Sequence, residues 1–171
     1  MRDDHPHRRR TGREVAPVRC VQLRLPVSPT GNWIRIKDAD RDARNLYARH
    51  YSKYHYADGR QPKKFIGPGE YIALITPDCK ALFAWRKFIS MDNQDGVNCS
   101  IFRNESGITS SALILEAEQW AIDRWGRVRA YTYVNPRKIK SDNPGYCFKK
   151  AGWKTCGITK ARKLLILEKQ L

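Results

Sequence analysis

The chain has 171 residues, 33 of them Lys or Arg against 17 Asp or Glu, for a formal net charge of +16. That length suits one domain able to bury a sizeable core with room for a tail, and the charge favours polyanions such as nucleic acid, or phosphate-bearing cofactors. No apolar run approaches bilayer length and no apolar signal core follows the N-terminal arginines, which excludes a membrane partner and predicts a cytoplasmic protein.

Residues 1–32 carry Arg8-Arg9-Arg10 and little periodicity, and read as a basic, flexible tail ahead of a single domain over 33–171. The first 24 residues hold seven arginines and three acids, so +12 of the charge belongs to the rest of the chain. Asp38 is placed to cap a helix running to about Arg49, with Ala39, Ala43, Leu46 and Tyr47 on its apolar face. His50 follows at the helix end, where the dipole favours its protonated form. From Lys53 to Gly69 the chain is polar, aromatic and rich in Gly and Pro, the composition of a long binding loop; Tyr51, Tyr54, His55 and Tyr56 cluster at its start.

Glu70 to Thr76 and Ala81 to Phe88 are β-rich runs joined by Pro77-Asp78-Cys79-Lys80, which predicts an antiparallel hairpin. A third strand, Gly96 to Phe102, runs into Arg103-Asn104-Glu105-Ser106-Gly107, and a helix follows from Ser110 or Ser111 to about Trp125. A helix start exposes free N–H groups and a positive partial charge, so this junction is a candidate phosphate cradle, with Arg103 as an added cation, Gly107 for a tight turn and the serines as hydroxyl donors. Simple capping is the plainer reading of the same residues.

Next come a strand over Arg129 to Val134, a basic loop, a short helix near 145–151, and strands near 152–157 and 163–168. This unit puts Asn135 at a strand end and Tyr146 on the following helix, so that both face one pocket beyond the sheet. Nine Lys or Arg and one acid, Asp142, lie between Arg137 and Lys163. The five cysteines, Cys20, Cys79, Cys99, Cys147 and Cys156, are scattered without a CxxC pair, and neither a disulfide frame nor a zinc knuckle is indicated. Cys99 and Cys147 read as small apolar packing residues.

A strand, a turn into a long helix, a second strand and a short helix ending in Tyr-x-x-x-x-Gly-aromatic together resemble the GCN5-related N-acetyltransferase superfamily. Within it, the segments RHYS at 49–52, FIGPGE at 65–70, ALFAWRKF at 81–88, FRNES at 102–106, the serine pair at 110 and 111, YTYVNPRKI at 131–139 and NPGYCFKKAGW at 143–153 resemble the bacteriophage Mom-like DNA-modification family. The resemblance implies an α+β fold in three layers: a mixed, mostly antiparallel central sheet of about six to seven strands flanked by three to four helices. It implies transfer of a small acyl-derived group from acetyl-coenzyme A to the exocyclic amine of adenine in DNA, shielding the DNA from restriction enzymes.

The resemblance also places His50, Tyr51, Asn135 and Tyr146 in the active site, with Tyr146 protonating the departing thiolate. Cofactor contacts fall to Cys99, Ile101, Arg103, Asn104, Ser106, Gly107, Ser110, Ser111 and Asn143, and DNA contacts to Lys53, Tyr54, Lys63, Lys64, Arg137, Lys138 and Lys140. Two positions depart from the pattern. The loop RNESGIT at 103–109 has a single glycine, and Asn135 stands where relatives carry Asp, so it binds but cannot take a proton. The family also implies an iron site, yet no compact His/Asp/Glu triad is present to hold one. Nothing in the sequence sets an oligomeric state. Two other readings stay open: an N-acetyltransferase acting on a protein or small-molecule amine, and a nucleic-acid-binding domain without catalysis.

Overall fold

Short apolar, β-rich runs in this chain pair into one sheet, buried on both faces at its centre, and the two periodic helical segments cover its opposite faces. The computed structural model describes residues 31–60, 62–89 and 93–171; the basic tail expected over 1–32 therefore lies almost wholly outside the described residues. In chain order the elements are β1 (Ile34–Ile36), α1 (Arg41–Ala48), β2 (Glu70–Ile75), β3 (Ala81–Lys87), β4 (Val97–Asn104), α2 (Ser110–Trp125), β5 (Arg129–Val134), a short 3-10 turn (Pro136–Lys138), α3 (Tyr146–Lys150), β6 (Lys154–Ile158) and β7 (Leu165–Gln170). The seven strands are ordered β1-β2-β3-β4-β5-β7-β6. Every pairing is antiparallel except β4 with β5, which α2 connects as a crossover. The fold is α+β, with a mostly antiparallel sheet and three α-helices among the described residues.

Strand alternation sends Ile72, Leu74, Phe83 and Trp85 into one core under α2 and α3, and Ala73, Ile75, Leu82 and Ala84 into another under α1. Three tryptophans fasten the larger layer: the indole N–H groups of Trp33, Trp85 and Trp153 donate to Leu113 O at 2.9 Å, Ala117 O at 2.7 Å and Glu118 Oε1 at 2.7 Å. Each buried ring thereby keeps a partner for its one polar atom. Glu118 is itself buried, and Lys169 Nζ reaches its other oxygen at 2.6 Å.

One irregularity decides where a ligand can enter. Ala84 pairs with Ile101 and Trp85 with Cys99, so Ser100 is an extra residue in β4 with no partner on β3. Such a bulge bends the strand and flips the side chains beyond it: Cys99 packs in the core under α2, whereas Ile101 packs in the core under α1. At the same place β4 leaves β5. The two strands pair only from Val97/Ala130 to Cys99/Thr132, and Tyr133 and Val134 bond to β7 alone. At the opposite end the strands are clamped together by Gly96, whose φ of +110° and proximity to Arg129 O, 2.1 Å from where a Cβ would stand, require glycine.

Three expectations need correction. The first helix is capped by Asp40, which accepts from Ala43 N at 2.9 Å, and not by Asp38. Ala39 sits at φ 81°, outside the helical region, and Asp38 instead accepts from Phe65 N at 2.9 Å, tying the long loop to the start of α1. Strand β1 was not anticipated, because three residues are too few to show alternation. Gly107 is not used for a left-handed turn: it has ordinary φ, and a Cβ there meets nothing within 4 Å.

Candidate functional site

Where β4 and β5 part, a cavity of about 800 Å³ opens. Its floor is the diverging pair itself, Asn98 to Phe102 of β4 and Thr132 to Asn135 from β5. Tyr47 and the turn from His50 to Lys53 form one wall, Phe65 and Ile66 of the long loop another, and Arg137, Phe148 and the turn between β6 and β7 complete it. Beyond Cys99 the backbone of β4 has no β5 partner, which leaves main-chain polar groups available at the floor.

His50 and Tyr51 are held as a unit. Their rings stack at 4.5 Å with an interplanar angle of 27°. The N–H of Ser52 donates to His50 Nδ1 at 3.2 Å and the Ser52 hydroxyl lies 2.7 Å from the same atom, which assigns the imidazole proton to Nε2, on the side that meets the Phe102 backbone. Contrary to the expectation of a protonated histidine, burial pulls the His50 pKa down to about 4, and Arg103 lowers it further against the opposing pull of the Phe102 backbone. A group 7 % exposed loses more hydration than one helix end can return. Tyr51 keeps an outer ring face exposed, while its phenol lies beside the Asn135 backbone, Cys99 and Cys147; burial raises its pKa.

The charge around the cavity is one-sided. Lys53, Arg86, Arg137 and Arg162 come from four different parts of the chain, and the lining holds no Asp or Glu. The six ion pairs among the described residues all use other cations: Arg49, Arg60, Arg103, Arg124, Arg129 and Lys169. Carboxylates are thus spent elsewhere, and the cavity is left with uncompensated positive potential. Arg86 lies beneath the long loop, bonded through Nη1 only to Ile66 O at 3.4 Å. Gly67 passes so close that a Cβ would stand 2.9 Å from that same nitrogen.

The residues expected from sequence divide clearly. His50, Tyr51, Lys53, Cys99, Ile101, Asn135 and Arg137 line the cavity. Asn135 also uses Oδ1 to accept from Arg137 N at 3.0 Å, capping the 3-10 turn. Tyr146 does not line it: the side chain is half exposed, with Lys150 Nζ 5.5 Å from its ring, and the residue of α3 that reaches the cavity is Phe148. Asn143 is also outside, its Oδ1 accepting from Lys149 Nζ at 2.6 Å. Tyr54 packs against Tyr56 at 4.8 Å and is not in the lining, and Lys63, Lys64, Lys138 and Lys140 are exposed and outside the lining too.

The junction before α2 differs most from expectation. Arg103 is paired with Glu105, which Arg49 also holds at 2.7 Å, and these two guanidinium groups pull the Glu105 carboxyl down to about 2. Asn104 spans the loop, donating to Ile108 O at 2.7 Å and Ser110 Oγ at 3.0 Å and accepting from Ser106 N at 2.9 Å. The side chains named as phosphate ligands are therefore committed to the loop itself. Thr109 makes no side-chain cap, so what the helix start offers is its backbone N–H groups. Gly107 and Ser111 lie outside the cavity lining as well.

Neither a protein-family model nor a curated protein matches the chain. Among the described residues, no group of three or more His, Cys, Asp or Glu is placed to hold a metal ion, and no helix is long and apolar enough to cross a membrane. Cys99 is buried in the core, and burial holds its thiol well above the usual range. Sequence reading missed Arg86, Asn98, Phe148 and Arg162. The signal for Arg86 was its phase: it shares a strand face with Leu82 and Ala84, an inward position for a charge.

Proposed function

We propose that this protein is an acyl-coenzyme A-dependent N-acyltransferase whose acceptor is the exocyclic amine of adenine in DNA, acting in the cytoplasm to protect DNA from restriction. The observation that carries the proposal is the parallel β4–β5 pair that separates after Cys99 and Thr132 onto a cavity lined by four cations and no carboxylate.

The missing acid and the missing base together select the acceptor. A lysine amine, with a pKa of about 10.4, arrives charged and needs a group to deprotonate it. Here the cavity repels a cation, and His50, with its pKa near 4 and its Nδ1 lone pair already engaged by Ser52, is a poor base at neutral pH. An exocyclic base amine is already neutral, and the phosphates that carry it are attracted by Lys53, Arg86, Arg137 and Arg162. In duplex DNA the target base has to leave the stack to enter such a cavity, and the stacked His50–Tyr51 pair supplies an aromatic wall for it.

Two features fit a coenzyme A thioester: the edge of β4 beyond Cys99, which keeps β3 but has no β5 partner and so has main-chain groups for the pantetheine amides, and the α2 start, whose free N–H groups suit a pyrophosphate. Bound there, the thioester supplies the acyl carbonyl: the amine nitrogen forms the new C–N bond, the C–S bond breaks, the nitrogen loses one proton and the thiolate gains one. Tyr146, the donor expected from the sequence, stands outside the cavity, so the nitrogen's proton passes to water and the thiolate takes its proton from water at the opening. Tyr51 and the fixed His50 ring position the base, and the β4 amides polarise the carbonyl.

One observation favours the second reading, a binding domain without turnover. Asn135 has its side-chain oxygen tied to Arg137 N, and no strong base lines the cavity. Incubating the full chain with acetyl-coenzyme A and an adenine-containing single-stranded oligodeoxynucleotide, and following free thiol release, separates the readings. Release that depends on the oligonucleotide supports the transferase; release with a lysine peptide alone contradicts the choice of acceptor; no release with either, together with tight oligonucleotide binding, leaves the binding domain.

A further inference from the structure

The turn between β6 and β7 is the part of the cavity that neither the motifs nor the proposed chemistry uses. Ala161, Arg162 and Leu164 from this turn line the cavity, as does Lys53 from the turn after α1. Between Thr159 and Leu164 there are three cations, Lys160, Arg162 and Lys163, and no acid. None of the three takes part in the ion pairs among the described residues.

The turn is also built to hold its shape. Thr159 N donates to Leu164 O at 2.9 Å, Leu164 N donates to Thr159 Oγ1 at 2.9 Å, and Lys163 N donates to Thr159 O at 3.1 Å. Lys163 adopts φ 54°, a left-handed conformation that a lysine takes only when the surrounding bonds impose it. A closed, tied turn holds the backbone from which Lys160 and Arg162 project, with Arg162 at the cavity lining. Because guanidinium groups favour the oxygens of phosphate, and because the target group has to sit deeper, at the β4–β5 floor, the turn is placed for phosphates next to the one whose base enters.

We infer that the β6–β7 turn is a phosphodiester clamp: Arg162 and Lys160 of the turn, together with Lys53 and Arg137 of the cavity lining, grip the strand flanking the nucleotide whose base occupies the cavity. This rests on the nucleic-acid reading above and adds to it a requirement, that the substrate be a strand with flanking phosphates and not a free nucleoside or mononucleotide. The paired cations of the fold take no part, and the clamp is separate from the α2 start proposed for the cofactor's pyrophosphate.

The test uses the full chain and a fluorescent single-stranded oligodeoxynucleotide, with affinity measured across a salt series. The double variant Lys160→Ala/Arg162→Ala is compared with Arg127→Ala/Lys154→Ala, which removes the same charge at the far end of β5 and β6; circular dichroism checks that both are folded. Losing two phosphate contacts lowers the salt slope by about 1.4 and affinity by about 25-fold at about 0.1 M salt. The control changes affinity by less than about threefold. Equal effects of both variants, or none from the turn variant, overturn the clamp while leaving nucleic-acid binding in place. No binding by the unaltered protein overturns the clamp and the nucleic-acid reading together. A turn variant that binds oligonucleotide normally but loses affinity for coenzyme A in calorimetry assigns the phosphate to the cofactor and also overturns the clamp.

Discussion

His50 offers the sharpest physical prediction, because its environment changes its proton affinity by an amount that stability measurements resolve. Its pKa falls from about 6.5 in the unfolded chain to about 4 in the folded one, chiefly through burial. A depressed histidine is neutral when folded, and the unfolded state binds the extra proton, so stability is complete above the unfolded pKa and is lost as pH falls toward the folded one. Integrated from about pH 7.5 to about pH 5, the loss is about 2 kcal/mol, and it approaches about 3 kcal/mol near the folded pKa. Glu105, held down to about 2, loses its own contribution only at lower pH, as its carboxyl begins to protonate in the unfolded chain, so the window above about pH 5 isolates the histidine. The assay is urea unfolding of the parent and of His50→Gln at several pH values in that window. The parent loses about 2 kcal/mol more than the variant on going to the acid end. A difference between them that stays flat with pH refutes the neutral, buried histidine, and with it the argument that the cavity lacks a base.

Other substitutions test the frame and the site. Glu118→Ala leaves the Trp153 indole and the Lys169 ammonium without their shared carboxylate, and costs about 3 kcal/mol in denaturant unfolding. Gly96→Ala forces a Cβ against Arg129 O at a positive φ and costs about 2 to 3 kcal/mol, whereas Gly59→Ala, with positive φ but open space, costs about 1 kcal/mol. Asn135→Asp retains an oxygen for Arg137 N and therefore keeps the melting temperature, but it puts the first carboxylate into the cavity lining and weakens oligonucleotide binding several-fold in a fluorescence titration. Tyr146→Phe leaves both oligonucleotide affinity and turnover in the thiol-release assay unchanged, since the side chain stands outside the cavity; lost turnover with retained binding would return it to the chemistry.

The legible parts of this chain are those where one local signal dominates. The hairpin of β2 and β3 was readable because two β-rich apolar runs flank the turn signal Pro77-Asp78-Cys79-Lys80, and α2 because apolar residues recur at helical spacing from Leu113 to Ala121. The start of α1 was misplaced by two residues, since Asp38 and Asp40 are equally good caps on paper and only the backbone at Ala39 excludes the first. Strand β1 is too short to show a pattern, and it is fixed by pairing with β2. Within the site, the residues of the turn after α1 were found, but the charge of His50 was reversed, because burial is a tertiary property that outweighs a local dipole. Tyr146 and Phe148 illustrate the same limit on a five-residue helix: spacing cannot say which side chain turns toward a gap that a bulge at Ser100, far away in sequence, creates. The junction at Arg103 and Asn104 looked like a phosphate cradle because its residue types are right; their mutual bonds and Glu105 absorb them.

The central claim, that the cavity acts on adenine in DNA, is met most directly by mass spectrometry of nucleosides released from the DNA of cells expressing the full chain. The account predicts a deoxyadenosine species heavier by an acyl-derived group, present with the unaltered protein and reduced with the Lys160→Ala/Arg162→Ala variant. Wholly unmodified deoxyadenosine in cells that contain folded protein, beside acylated lysine in cellular protein, would contradict it.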